Sequence, residues 1–456
     1  MEEEIRKENQ QTALGGKEAW QMLLDAPDDL LRLISAMHSS EVASLLMSCD
    51  SDDERLALIK LVPDELVGET LLELPEGIQE VLLSGMHPDD IGDAVEHMDS
   101  DDVADLLQAA DKDVADAVIQ GLEPEERREI EPLMAHDEES AGGLMQVELF
   151  KVRHDWKVEK VFEVLRRFGR EIENLNYVYV VDDDGVLVGV LPLHVILFSE
   201  PDVMVIDVAK KDFPFAVAGE DQEKVAQTFE KYDVLALPVV DENHILIGRI
   251  TADDILDVVQ EEATEDMYRL AGLSHEDDLS ESVATTARRR GAWLAVNLLT
   301  AIAASLVVSL FEATIAQIVA LAVLMPIVAS MGGIAGTQTL TVIVRGIALG
   351  RVTLANARRT LIKEVSVGLV SGLLFALVMS IVASFWFPDW GVRLGLVIGA
   401  AMLINLFVAG LAGALVPMML QRLSIDPALA SGTILTTVTD VVGFFSFLGL
   451  ATVFLL

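Results

Sequence analysis

Residues 430–456, ASGTILTTVTDVVGFFSFLGLATVFLL, decide what kind of protein this is. The run is apolar and 27 residues long, and a helix needs about 20 such residues to cross the hydrocarbon of a bilayer. Its single ionisable group is Asp440, inside Leu435-Thr436-Thr437-Val438-Thr439-Asp440-Val441-Val442-Gly443. A charge at membrane depth costs about 2.5–3.5 kcal/mol on insertion scales, so an acid kept there marks a functional site. The threonines and glycines around it suit a hydrated path better than a lipid-facing wall. The structural alternative is a protonated acid buried against a polar neighbour.

Working outward, four more stretches are long and apolar enough to span, roughly Trp293–Phe311, Ile315–Val344, Val365–Phe385 and Leu394–Leu420. The second and fourth of the five exceed one crossing, so tilt or a break is expected, with Pro326 and Pro417 where a break would fall. Arg288–Arg290 precede the first span, Arg345 to Lys363 join the second to the third, and Arg422 lies between the fourth and fifth. The positive-inside rule then places the N-terminus in the cytoplasm and the C-terminus outside. Met1-Glu2-Glu3-Glu4-Ile5-Arg6-Lys7 has no apolar core, so no secretory signal is expected. The inner (plasma) membrane is the expected location.

The formal net charge is -42, but it is unevenly placed. From Ala287 onward there are five acids and ten bases, about +5, which leaves the first 286 residues near -47. So acidic a region repels nucleic acid and anionic lipid and collects divalent cations; an acidic surface kept only for solubility is the plainer alternative. The lone Cys49 excludes a disulfide framework and a cysteine metal site. The eight histidines are scattered without metal-ligand spacing, and no nucleophile–base constellation points to an enzyme.

Two modules share the acidic region. From about Ala26 to Met134 short helices begin at Pro27-Asp28-Asp29, Pro63-Asp64-Glu65, Pro88-Asp89-Asp90 and Pro124-Glu125-Glu126, with Ser100-Asp101-Asp102 as a variant. Proline at the first helical position and acids in the first turn suit free amides and the helix dipole. Apolar residues follow at helical spacing, as at Ile91, Ala94, Val95 and Met98. Such helices cannot bury a face alone, so a stacked superhelical array is expected. From about Leu144 to Val259 the pattern alternates strand and helix. Val178–Leu197 (VYVVDDDGVLVGVLPLHVIL) and Ala236–Val258 (ALPVVDENHILIGRITADDILDV) read alike: strand, acidic turn, strand, helix. This repeat resembles a tandem pair of CBS domains, regulatory modules that often bind adenine nucleotides. The second copy's Thr251-Ala252-Asp253-Asp254 is similar to the T-x-x-D element in which the acid holds a ribose; Pro192-Leu193-His194-Val195 of the first copy lacks that acid. One ATP-type site at Thr251 and Asp254 is therefore expected.

A connecting helix, about Ala252–Leu273, carries Asp253, Asp254, Asp257, Glu261, Glu262, Glu265 and Asp266. Spacings of three and four line up Asp254, Asp257, Glu261 and Glu265, whose repulsion a cation would relieve. The resulting division is a flexible terminus over 1–25, an acidic superhelix over 26–136, a CBS pair over 137–251, a connecting helix over 252–285 and a five-span all-α domain over 286–456.

In that order the parts resemble the MgtE family of magnesium transporters. Asp137-Glu138-Glu139-Ser140-Ala141-Gly142-Gly143-Leu144-Met145 is similar to the family's junction before the CBS pair. Glu262-Ala263-Thr264-Glu265-Asp266 is similar to its connecting, or plug, helix. Asp426-Pro427-Ala428-Leu429 followed by Thr437-x-x-Asp440-x-x-Gly443 is similar to its last membrane helix. The resemblance implies a homodimer in the bilayer with a pore at its interface, lined by the second and fifth spans. It places Asp440 at the pore Mg²⁺ site, with the backbone carbonyl near Thr436 helping. It also implies that cytoplasmic Mg²⁺ is sensed by Asp101 and Asp105 of the helical domain, by Asp221, Glu223, Asp233 and Asp254 of the CBS pair, and by Asp257, Glu262, Glu265 and Asp266 of the connecting helix. Ions bridging these acids would close the pore. The chain departs from the common pattern at Ile334, Thr337 and Gly432, where many or some members carry asparagine. Two alternatives stand beside this reading: transport of another divalent cation such as Co²⁺ or Ca²⁺, and a nucleotide-responsive receptor that conducts nothing.

Overall fold

A computed structural model of the 456-residue chain describes residues 14–169, 172, 174–273, 283–353, 355–423, 425–428 and 431–456. They fall into two compact units, Met1–Val259 and Gln260–Leu456.

The first unit opens with short helices, from Gly16–Asp25 to Pro124–Leu133. The expected starts hold: Pro27, Pro88 and Pro124 open their helices, Pro63 is an N-cap, and Ser100 begins the Ser100–Ala109 helix. Other helices begin where no start was expected, and two of these are capped by side chains. The His38 side chain accepts from the Ser40 N–H, and Ser51 Oγ accepts from the Glu54 N–H. None of these helices buries a face alone, and Leu30, Ile34, Leu46, Leu71, Leu82 and Leu106 meet in one shared core. The flexible terminus expected over 1–25 is corrected for its second half. Gly16–Asp25 is a helix with Ala19 fully buried, because the Gly16 N–H donates to Ser48 Oγ at 2.8 Å and Lys17 pairs with Asp50 at 3.0 Å. Residues 1–13 lie outside the described residues.

The internal repeat becomes two three-stranded sheets of the same topology. Lys151–Arg153, Tyr177–Val181 and Leu187–Pro192 form one; Ala216–Val217, Ala236–Val240 and Leu246–Thr251 form the other. In each, the first pair is parallel and the second antiparallel, with the same register shift, at Val180/Val181 and at Val239/Val240. The acidic turns are built alike too. Asp182 Oδ1 accepts from the Asp184 and Val186 N–H groups, and Asp241 Oδ1 from those of Asn243 and Ile245. Gly185 (φ +84°) and His244 (φ +62°) then take the left-handed position that closes each hairpin. The hairpins also pair with each other: the Leu187 N–H donates to the His244 carbonyl and the Leu246 N–H to that of Gly185, both at 3.1 Å.

In the second unit five helices are long and apolar enough to cross a membrane: Val283–Ser309, Ala320–Ala348, Ala357–Trp386, Gly391–Arg422 and Gly432–Leu455. Ile315 falls in a separate short helix, Glu312–Gln317, ahead of the second span. No break occurs at the prolines; the second and fourth helices run through Pro326 and Pro417. At 29 and 32 residues they exceed the roughly 30 Å hydrocarbon at about 1.5 Å per residue, so tilt or protrusion absorbs the excess. The fourth span is the most enclosed of the five. It meets the third so closely that a Cβ on Gly368 would lie 2.7 Å from the Leu406 carbonyl oxygen, and one on Gly395 2.3 Å from that of Ser380. Small residues let membrane helices make contact where apolar burial offers no net drive.

Candidate functional site

Asp440 sits half-buried in the fifth span and has no hydrogen-bond or ion-pair partner among the described residues. Thr436, one turn earlier, lies on the same helical face and is exposed. The nearby hydroxyls are turned back onto their own helix. Thr436 Oγ1 donates to the Gly432 and Thr433 carbonyls, Thr437 Oγ1 to that of Thr433, and Thr439 Oγ1 to those of Leu435 and Thr436. The Thr436 carbonyl, inside the helix, thus accepts from Thr439 Oγ1 at 3.1 Å in addition to the helical N–H four residues on, which engages both of its lone pairs. On the second span Gly333, Ile334, Thr337, Gln338 and Thr341 line an open concavity of about 720 Å³. Ile334, 55% exposed, puts an apolar chain there.

A smaller cavity, about 210 Å³, joins these parts. Its walls are Arg269 to Gly272 at the end of the connecting helix, Trp293 and Asn297 of the first span, Thr337 and Thr341 of the second, and Gly432, Thr433 and Thr436 of the fifth. Thr433 and Asn297 hydrogen bond at 3.1 Å across it. The end of the connecting helix thus closes one side of the space into which Thr436 opens. Here Arg269 pairs with Glu265 one turn back and with Asp426 ahead of the fifth span. Asp266 is held above its ordinary pKa chiefly by burial, then by Asp426, against the pull of Arg345 and Arg269.

The expected sensor acids separate into groups. Asp101 is 5% exposed, and its Oδ1 is buried without a partner among the described residues. Burial, then Asp102 and Asp254, hold its carboxyl well above the usual range. Asp102 is pushed up to about 7, by burial and then Asp254. Asp254 is raised by burial, against hydrogen bonds from Thr251, whose N–H and Oγ1 donate to it at 3.1 and 2.6 Å. Among the described residues no ion pair joins Asp101 or Asp102 to a Lys or Arg. No three His, Cys, Asp or Glu side chains among the described residues converge closely enough to chelate a bare ion.

Of the other acids, Asp105 lies near enough to Asp102 to raise its carboxyl further. Asp221 and Asp233 cap opposite ends of the Gln222–Tyr232 helix: Asp221 accepts from the Glu223 N–H at 3.1 Å, and Asp233 takes the left-handed C-cap position. Glu223 is half-buried beside the first of them, and Asp105 and Asp257 are exposed. Glu262 is half-buried on the connecting helix, while Glu265 is held by Arg269. The like-charge row expected on that helix is therefore interrupted by a cation four residues on. Sequence reasoning missed Asp102 and the pairing of Asp426 with Arg269. The signal for the first was the doubled acid at the start of its helix, and for the second the Asp426-Pro427 motif.

An unpaired carboxylate thus stands in a five-span membrane unit, and the acidic N-terminal part carries a CBS-type repeat. A family model described as a divalent cation transporter matches residues 325–450, one described as the MgtE intracellular N domain residues 26–139, and a CBS domain model residues 141–199 and 205–261. The magnesium transporter MgtE of Thermus thermophilus is 36% identical over 72% of this chain and 73% of its own length; that of Enterococcus faecalis is 36% identical over 73% and 72%. A crystal structure of the cytosolic domain of the Mg²⁺ channel MgtE in complex with ATP is 33% identical, covering 53% of this chain and 98% of its own, with a TM-score of 0.49. The chain belongs to the MgtE family. It is a multi-pass membrane protein with a cytosolic N-terminal part.

Proposed function

We propose that this chain imports Mg²⁺ along a path at the interface of two copies, lined by the second and fifth spans, with one Asp440 from each copy. The observation that carries the reading is Asp440 itself, an unpaired carboxylate one turn from Thr436 and the cavity that the connecting helix closes. One chain leaves the strip from Gly333 to Thr341 open; a second copy facing it would enclose the path. Mg²⁺ surrenders its waters reluctantly, so paired carboxylates hold the hydrated ion and its size sets the fit. The relatives' names supply Mg²⁺ as the cargo.

Gating follows from charge. Cytoplasmic Mg²⁺ that bridges Asp101, Asp102 and Asp254, and others of the acidic set including Asp105, Asp221, Glu223, Asp233, Asp257, Glu262, Glu265 and Asp266, stabilises a closed form. Its loss leaves the repulsion uncompensated and the path opens. Each ion need only bind the closed form more tightly, and several weak sites add. Thr251 and Asp254 are also read as contacts for an adenine nucleotide, which would meet Mg²⁺ at the same carboxylate. Basic residues on the loops after the second and fourth spans keep those loops inside, so the C-terminus lies outside.

The test is Mg²⁺ entry into proteoliposomes, followed by an internal dye, for wild type and Asp440→Ala, with Mg²⁺ varied on the face of the soluble part. Flux abolished in the variant and suppressed by millimolar Mg²⁺ in the wild type supports path and sensor together. Flux that survives Asp440→Ala refutes the path. Wild-type flux of Co²⁺ or Ca²⁺ but not Mg²⁺ changes the cargo, and no flux of any of the three leaves the nucleotide receptor.

A further inference from the structure

Asn405 occupies the middle of the fourth span and is 1% exposed. Its Nδ2 donates to the Val328 carbonyl of the second span at 2.9 Å, which fixes which end of the carboxamide faces that helix, since only the nitrogen can donate. Two glycines make room for it. A Cβ on Gly332 of the second span would lie 2.2 Å from Nδ2, and one on Gly443 of the fifth span 2.8 Å from the same atom. The amide is therefore a wedge between the second and fifth spans, in space their own side chains leave empty. Gly443 is three residues from Asp440, the helical spacing at which neighbours share a side. The Oδ1 atom is buried and has no partner among the described residues. A leucine of the same branched shape would bring no unsatisfied acceptor, so an amide here indicates a polar role.

We infer that Asn405 is a positioning residue for transport, resting on the reading of Asp440 above: it sets the gap between the second and fifth spans beside Asp440 and so the choice among hydrated divalent cations. Its Nδ2 bond fixes the second span against the fourth, and the Gly443 contact fixes the fifth. A fixed gap favours Mg²⁺, whose octahedral shell is rigid, over Ca²⁺, which takes six to eight ligands at variable geometry.

The experiment compares Mg²⁺ and Ca²⁺ uptake into proteoliposomes for wild type, Asn405→Leu, Gly443→Ala, Gly443→Ala with Asn405→Ala, and Asp440→Ala, with the folded fraction of each measured by size-exclusion in detergent. Asn405→Leu is expected to stay folded while its Mg²⁺-to-Ca²⁺ flux ratio falls about ten-fold. Gly443→Ala is expected to lose most Mg²⁺ flux by collision with the amide and to regain it when Asn405 is also shortened. A ratio unchanged in Asn405→Leu, or losses of both ions in proportion to folded protein, reduces Asn405 to packing and overturns the inference. If Asn405→Leu does not fold, the Gly443 pair decides, and absence of rescue overturns it. Flux surviving Asp440→Ala would instead refute the underlying path. Loss there with an unchanged ratio in Asn405→Leu refutes only the role of Asn405.

Discussion

Arg269 and Asp426 form an ion pair that ties the last turn of the connecting helix to the segment leading into the fifth span. The same guanidinium holds Glu265, so two carboxylates at the cavity mouth share one internal cation. Arg269→Gln would remove that shared cation. The closed form should then need more Mg²⁺, with the half-inhibitory concentration up about five-fold for a loss of about 1 kcal/mol. Flux against cytoplasmic-side Mg²⁺ reads this directly; a fall instead would show that Arg269 competes with the metal.

Asp101 buries a carboxylate oxygen that nothing among the described residues satisfies. Removing its charge with Asp101→Asn should stabilise the helical region in chelator by about 1–3 kcal/mol. The variant should also lose most of the protection that Mg²⁺ confers. Hydrogen exchange of the Ser100–Ala109 helix in the full-length protein, with and without Mg²⁺, checks both halves.

Asp102 gives a pH dependence with a definite sign. Its carboxyl is raised from 3.8 to about 7 by burial and by Asp254, Asp99, Asp105 and Glu69. Between those values the folded form binds more protons than the unfolded form, so stability falls as pH rises through the window. In chelator, exchange of the same helix should therefore speed up as pH rises from about 5 to about 7 beyond the intrinsic rate change. Saturating Mg²⁺ should flatten the excess.

Gly395 packs where a Cβ would lie 2.3 Å from the Ser380 carbonyl oxygen and from Ser384 Oγ. Gly395→Val should force the third and fourth spans apart at a cost of about 1–3 kcal/mol, lowering the thermal midpoint in detergent. Gly291→Ala, where a Cβ meets nothing within 4 Å, should leave it unchanged.

The parts legible in the sequence are those encoded locally. Span length and apolarity, the proline-acid helix starts, and the repeated strand–turn–strand pattern all survive as helices and sheets where expected. The Gly16–Asp25 helix was missed because its anchors, Ser48 and Asp50, lie in another helical segment's wake. Of the site, Asp440 was legible because a lone acid in an apolar run is rare. The convergence of Asp102 on Asp254, of Arg269 on Asp426 and of Asn405 on Gly332 and Gly443 was not, since no local period encodes contacts between distant segments. Asp221 and Asp233, expected among the cation ligands, stand at the two ends of one helix, Gln222–Tyr232, the first accepting from the Glu223 N–H.

The reciprocal hydrogen bonds between Leu187 and His244 and between Leu246 and Gly185 make the two sheets' hairpins one continuous seam. The two repeats are thereby tied through their hairpins by backbone hydrogen bonds as well as by the chain that joins them. Asp254 stands in the first turn of the connecting helix, which follows directly on the last strand of the second repeat.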